Sequence, residues 1–245
     1  MSSRPTVVLI HGLFGFRKLL WSEYFQGVRP LLESMGMRVI APRLPWAGSV
    51  EARGNSLARQ LQQEAGALHL VAHSMGGIDA RFWISRLGGG EKVASLTTLA
   101  SPHHGSSAAD HICRHISPFR IFAGIRCLTM KKMAHFNSTT PDQPHIIYRS
   151  YTAKRPLHEQ PWIVRRYGRC IQQHEGDNDS QVSVTSGQWG DHIATLPCDH
   201  FELIRRNFWF NPFRKRTPFD MLPVYRDIGE WIKAESAAKK ERACL

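Results

Sequence analysis

Leu70-Val71-Ala72-His73-Ser74-Met75-Gly76-Gly77 is the stretch that decides how this chain reads. Leu68–Ala72 reads as a short, largely apolar strand. Met75–Leu87 has helical character and stops at Gly88-Gly89-Gly90. A strand, a sharp turn at serine and a helix start form the order that a nucleophile elbow needs. The turn lifts the hydroxyl off the end of the sheet, and the residues two before and two after must be small to avoid collision. Here they are Ala72 and Gly76. The helix that follows presents its positive dipole end to Ser74, and the backbone N–H of Met75 becomes a candidate oxyanion donor. A small-x-Ser-x-small pattern is too short to mean much alone; the flanking strand and helix give it weight.

Upstream, Val7–Ile10 reads as another buried strand, followed directly by His11-Gly12-Leu13-Phe14-Gly15-Phe16. Glycines there let the backbone bend toward a ligand, and the N–H of Leu13 is the candidate second donor to an oxyanion. His11 reads as a structural hydrogen-bonding residue. Between and beyond these motifs, strand and helix patterns alternate. Helical spacing covers 24–35, 50–63, 128–136 and 219–234, with strands at 37–41, 93–100 and 146–151; the stretch 159–170 is undetermined. This rhythm predicts an α/β fold: a mainly parallel sheet with helices on both faces and ligands at the carboxyl ends of its strands. One domain over 1–245 is expected. From Ser106 to about Arg126 the rhythm breaks, which predicts a short helical lid inserted at about 106–127; ordinary connecting helices are the alternative.

A serine nucleophile needs a base, and the base an orienting carboxylate, in the chain order Ser, Asp or Glu, His. Of the 13 histidines, His200 fits best, late in the chain in a loop just before Phe201-Glu202-Leu203-Ile204. His192 and His174 are rivals. His103 and His104 precede any acid in that order and read as loop structure.

Together these segments resemble the bacterial true-lipase family of triacylglycerol lipases. The likeness lies in His11–Phe16 and Ala72–Gly77, in Pro102-His103-His104-Gly105-Ser106, and in Ala134-His135-Phe136-Asn137; it returns around Asp177–Ile204. The resemblance implies an α/β-hydrolase fold, a mainly parallel, doubly wound sheet with a helical lid over Ser74, and a late catalytic histidine at His200. It also implies an acid loop in Gly176-Asp177-Asn178-Asp179-Ser180-Gln181-Val182, where an aspartate stands three residues ahead of a valine. That selects Asp179, with Asp177 as the alternative and Asp199 as a surface or capping residue. The family carries glycine where Ser180 stands. Its secreted members hold the histidine loop with calcium, through an aspartate and a glutamine; here Glu202 and Arg206 occupy those places, so no metal or other cofactor is expected.

The expected activity is hydrolysis of carboxylic esters of acyl chains by Ser74, Asp179 and His200, with Phe14, Phe16, Leu19 and Leu20 placed to shelter an acyl chain. A thioesterase or a lipid acyltransferase would use the same triad, and a non-catalytic lipid-binding protein is the reading from a different class. The 245 residues carry a net charge of +12 and a sequence pI of about 9.9. The basic residues are scattered and lack any nucleic-acid-binding pattern. Contact with an anionic lipid surface, or solubility alone, is the better use of the charge. The five cysteines are odd in number and without metal-ligand spacing; free thiols are the default, and a Cys113–Cys127 bridge is left open. No secretory leader or membrane span is visible, so the expected location is cytoplasmic or peripheral to a membrane. The basic segment 211–216 has no assigned role.

Overall fold

A computed structural model describes residues 4–15, 18–19, 22–115, 122–208 and 216–243. Its strands are β1 (Thr6–Ile10), β2 (Lys18–Leu19), β3 (Ser22–Glu23), β4 (Arg38–Ile40), β5 (Leu68–His73), β6 (Val93–Leu99), β7 (Ile147–Ala153) and β8 (Asp191–Leu196). Six of them form one sheet in the order β4-β1-β5-β6-β7-β8, and every pairing in it is parallel. β2 and β3 make a separate small antiparallel hairpin. The helices are α1 (Val28–Ser34), α2 (Val50–Leu61), α3 (Met75–Arg86), α4 (Ser107–His115), α5 (Ala123–Cys127), α6 (Met130–Thr139), α7 (Arg165–Glu175), α8 (Val184–Gly187) and α9 (Leu222–Ala243).

The alternation of side chains along each strand divides the core into two layers. Val7 and Leu9 of β1, with Val71, Leu99 and Tyr151, face Val28 and Leu32 of α1 and Tyr225, Ile228 and Ile232 of α9. Val8 and Ile10, with Leu68, Leu70, Ala72 and Leu96, face Leu57 and Leu61 of α2 and Ala80, Trp83 and Ile84 of α3. Each such fully buried aliphatic side chain contributes about 1.5–3 kcal/mol, which explains why β1 and β5 read as largely apolar segments. Strand order dictates the helix layers. The chain steps from β1 to β4 in one direction, then returns across β1 to β5 and continues the other way. Right-handed crossovers then put α1 on one face and α2 and α3 on the other. The reversal falls between β1 and β5, whose carboxyl ends therefore open a crevice.

Among the described residues the elements β2, β3, α7, α8 and β8 go beyond the sequence expectation. β8 extends the sheet at its edge, and α7 fills the undetermined stretch. α9 also runs farther, to Ala243. The break in rhythm after Ser106 contains α4 and α5, separated by residues outside the described set. With α6 these helices share a third apolar cluster, in which Ala109, Ile125, Leu128 and Met133 meet Val50, Met75 and Ile78, with Leu13 and Phe122 partly buried against it. This cap therefore rests on the two motifs singled out above. No disulfide joins Cys113 and Cys127, so the open question of a bridge is settled against it. Among the described residues no helix is long and apolar enough to cross a membrane.

Candidate active site

Ser74 follows the last residue of β5 and serves as the N-cap of α3, with φ 55° and ψ −133°. A positive φ in a residue with a Cβ is strained, at about 1–3 kcal/mol, and persists only where the surroundings enforce it. Here its N–H is tied to Leu99 O at 2.9 Å. Gly76 is the small residue that the turn requires: a Cβ there would lie 2.6 Å from Ile10 O.

The oxyanion loop leaves β1 and lies against this turn, so closely that a Cβ on Gly12 would sit 2.8 Å from Ser74 Cβ. Its amides can be accounted for one by one. Gly12 N–H donates to the Tyr24 hydroxyl at 3.2 Å, Phe14 N–H to Trp46 O at 2.6 Å and Gly15 N–H to Gly12 O at 3.2 Å. Among the described residues the N–H of Leu13 has no acceptor, and neither has that of Met75 at the start of α3. The direction of the Leu13 amide is enforced from behind. It shares a planar trans peptide with Gly12 O, so whatever holds that carbonyl aims the N–H the opposite way. His11 Nδ1 meets Gly12 O at 2.9 Å, and Arg53 donates to His11 O at 2.7 Å and to Gly12 O at 3.3 Å. His11 Nε2 accepts from Leu44 N–H at 3.1 Å, so the ring's proton is on Nδ1. His11 is thus structural, as expected; burial and then Arg53 lower its pKa to about 4.

Arg53 itself is fully buried and paired with fully buried Asp79, Nε to Oδ2 at 2.7 Å. Burial pushes the Asp79 carboxyl up to about 6 against the pull of Arg53. This ion pair beneath the oxyanion loop has no sequence signature; Arg53 and Asp79 look like helix surface residues until α2 and α3 are packed together.

The base and acid come from the far side of the sheet. His200 Nδ1 donates to Asp179 Oδ2 at 2.7 Å, and His200 N–H donates to Asp179 O at 3.0 Å. The other carboxylate oxygen of Asp179 accepts from Gln181 N–H at 2.9 Å and Val182 N–H at 2.8 Å. One oxygen is thereby locked by the loop and the other turned to the imidazole. Ser180, where the resembling family has glycine, adopts φ 93°. The serine keeps the turn that glycine would take without strain, and its buried Oγ has no partner among the described residues.

The rivals lie elsewhere. Asp177 is exposed and paired with Lys154 at 2.7 Å. His192 sits on exposed edge strand β8 beside Thr195, and His174 is on the outside of α7. His103 is buried, meets Thr98 Oγ1 at 3.2 Å and stacks on Trp189. Asp199 departs from expectation: it does cap, accepting from Phe201 N–H at 2.8 Å and Glu202 N–H at 3.0 Å, but it is buried rather than on the surface. Its other oxygen meets Arg216 at 2.9 Å. Glu202 accepts from Asp199 N–H at 2.7 Å and pairs with Arg216 at 3.1 Å and Arg155 at 3.3 Å. Arg216, the last residue of the unassigned basic segment, therefore anchors the histidine loop; 211–215 lie outside the described residues. Arg206 donates instead to Phe201 O and Glu23 O.

His200 is brought to the elbow through His73. Their ring centroids are 4.4 Å apart, and His73 Nε2 donates to His200 O at 3.0 Å. Among the described residues no hydrogen bond joins the Ser74 hydroxyl to the His200 ring; such contacts commonly tighten only once substrate is bound. At the mouth, the rings of Phe14, Trp46 and Phe122 pack at 5.3–5.6 Å from one another. α5 closes over Leu13, leaving so little room that a Cβ on Gly124 would lie 2.4 Å from Leu13 Cδ1. Phe16 and Leu20, named above as apolar shelter, lie outside the described residues, and the Leu19 side chain is not described.

Comparison with known proteins agrees with this architecture. The model of the alpha/beta hydrolase family matches residues 7–200. Triacylglycerol lipase 2 of Saccharomyces cerevisiae is 32% identical over 87% of this chain and 74% of its own length. A triacylglycerol lipase of Pseudomonas fragi is 30% identical over 60% of this chain, which spans about half of that protein, 51%. Among solved structures, Staphylococcus hyicus lipase superposes with a TM-score of 0.75 at 15% identity, covering 97% of both chains. Mature Bacillus licheniformis lipase BlEst2 does so at 0.72 and 20% identity, covering 92% of both.

Proposed function

The chain belongs to the alpha/beta hydrolase family, and from that premise we propose that it is a serine hydrolase cleaving carboxylic esters of acyl chains through an acyl-Ser74 intermediate. The observation that carries this reading is an Asp179–His200 pair at 2.7 Å beside a strained serine elbow and two amides that have no acceptor among the described residues.

The ester carbonyl seats with its oxygen between the N–H groups of Leu13 and Met75. Ser74 Oγ attacks the carbonyl carbon as its proton passes to His200 Nε2. Asp179 holds the opposite ring nitrogen and stabilises the imidazolium. The tetrahedral oxyanion gains the two amide hydrogen bonds most strongly at this point, and losing one such donor costs on the order of 10²–10³ in turnover. Collapse expels the alkoxide, which takes the proton from His200. Water, deprotonated by the same nitrogen, attacks the acyl-serine; collapse of the second tetrahedral species breaks the serine ester, and the hydroxyl regains its proton. The ring cluster of Phe14, Trp46 and Phe122 supplies an apolar rim for the acyl chain and for contact with a lipid surface, with α4 and α5 as its lid.

The test is stoichiometric labelling by a fluorophosphonate probe at Ser74, abolished in Ser74→Ala. A native protein that resists labelling, or a Ser74→Ala variant that still turns over p-nitrophenyl esters, overturns the reading. A chain-length series of esters with and without an oil–water interface then separates lipase from esterase, and parallel assays on acyl thioesters expose a thioesterase.

A further inference from the structure

The nucleophile's chain neighbour, His73, makes two contacts that the mechanism above leaves unused. Its Nδ1 lies 2.8 Å from the Tyr24 hydroxyl, and its Nε2 lies 3.0 Å from His200 O. The chemistry of these partners fixes every proton. A carbonyl only accepts, so Nε2 carries the hydrogen. The ring is completely buried and stays neutral, its pKa held well below the ordinary value by burial and by neighbouring His200. Nδ1 is therefore the acceptor, and Tyr24 O–H donates to it. The Tyr24 oxygen in turn receives Gly12 N–H at 3.2 Å. A single directed chain results, running from Gly12 N–H through Tyr24 and into His73, whose other side donates to His200.

We propose that His73, with Tyr24, is a positioning residue that keeps the oxyanion loop and the base loop in register about the nucleophile. The inference rests on the serine-hydrolase reading. Gly12 is the residue whose peptide aims the Leu13 amide. Its carbonyl is held by His11 and Arg53, but its N–H side is held by Tyr24 alone among the described residues. His200 is held to Asp179 by its ring and its N–H, and its carbonyl is held by His73. Both arms thus meet on the residue covalently joined to Ser74. A displacement of about 1 Å between reacting groups costs on the order of 10²-fold in rate, so one imidazole at that junction sets a distance that neither loop sets by itself.

The experiment uses the full-length protein and Tyr24→Phe, His73→Ala and His73→Asn, with kcat expressed per Ser74 titrated by fluorophosphonate. Tyr24→Phe removes one oxygen and cuts only the oxyanion arm. The expected result is a fall in kcat of about 10–100-fold, KM within about threefold, and an unmoved acidic limb in the pH profile of kcat/KM, which reports His200. His73→Ala cuts both arms and falls further. His73→Asn, whose amide oxygen can replace Nδ1 toward Tyr24, recovers part of that loss. A Tyr24→Phe enzyme with wild-type kcat, or losses confined to thermal stability or KM, overturns the proposal. Failure of the native protein to label at Ser74 overturns instead the reading beneath it.

Discussion

The oxyanion loop and the base loop meet at one serine, yet they are restrained by opposite chemistry. Behind the oxyanion loop stand hydrogen-bond donors: the Arg53 guanidinium and the His11 ring engage the carbonyls of His11 and Gly12. Behind the base loop stand acceptors: the carboxylates of Asp179, Asp199 and Glu202 engage the amides of residues 181, 182, 199, 201 and 202. The difference follows from what each loop must leave free. A loop that offers an N–H to substrate is best held by its carbonyls. A loop that offers an imidazole nitrogen is best held by its amides and by the ring's other nitrogen. Each device brings buried charge, which must be paired. Among the described residues Arg53 has the single carboxylate partner Asp79, whereas Arg216 serves both Asp199 and Glu202, and Glu202 has Arg155 as well.

The sharpest break comes from the acid. Asp179→Asn should lower kcat/KM on the order of 10⁴-fold, the scale seen when an orienting aspartate loses its charge. Asp177→Asn, on the same loop but exposed, should leave it within about twofold; steady-state kinetics on a soluble ester checks both. Next, the unshared pair should be the more fragile. Arg53→Met strands Asp79 in the core at about 3–5 kcal/mol, a Tm loss of roughly 6–20 °C for a chain this size. Arg216→Met leaves Arg155 on Glu202 and two backbone amides on Asp199, and should cost about half as much by calorimetry.

Acid should also attack the two sides unequally. Burial holds His11 at about 4, and His73 well below its ordinary value; His69 at about 4 and buried His103 behave likewise. Below pH 6.5 the unfolded chain takes up protons on these rings that the native state refuses, down to about pH 4 at His11 and His69. Stability therefore falls as pH drops through that window. Asp79, raised to about 6, works in the opposite sense as one group against four. Calorimetric Tm should decline steadily from pH 6.5 to 4, and His11→Gln should flatten the slope. A pH-independent Tm would contradict the neutral assignment of these rings. The smallest effect concerns Ser180. Ser180→Gly relieves a φ of 93° and removes an unpartnered hydroxyl, partly offset by the freer unfolded chain. A gain of about 0.5–1 kcal/mol is expected, read as a Tm rise of roughly 1–4 °C.

What the sequence made legible tracks burial. β1, β5, β6 and β7 are buried for most of their length and read as strands, and the elbow and oxyanion loop are contiguous segments with fixed local geometry. β8 escaped because it lies at an edge, with Asp191, His192 and Ile193 exposed, so neither an apolar run nor a clean alternation marks it. α7 escaped because its only buried residues are Gly168 and Ile171. Within the site, Ser74, Leu13 and Met75 follow from local pattern. Asp179 needed the family resemblance, since Asp177 two residues away is chemically equivalent until the chain is folded. Arg53, Asp79, Tyr24, Arg155 and Arg216 could not be singled out at all, because their partners are distant in sequence and only packing unites them.

The sheet order also governs when the site can exist. His73 and His200 are 127 positions apart in the chain, and β6, β7 and β8 separate them in the order of synthesis. At roughly 5–20 residues per second, a ribosome needs roughly 6–25 s to travel from one to the other. During that interval the elbow can already form, since β1, β5 and β6 are out, but it holds a serine with no proton acceptor. A nascent chain would therefore be chemically mute toward esters in its surroundings until the segment that carries His200 has docked.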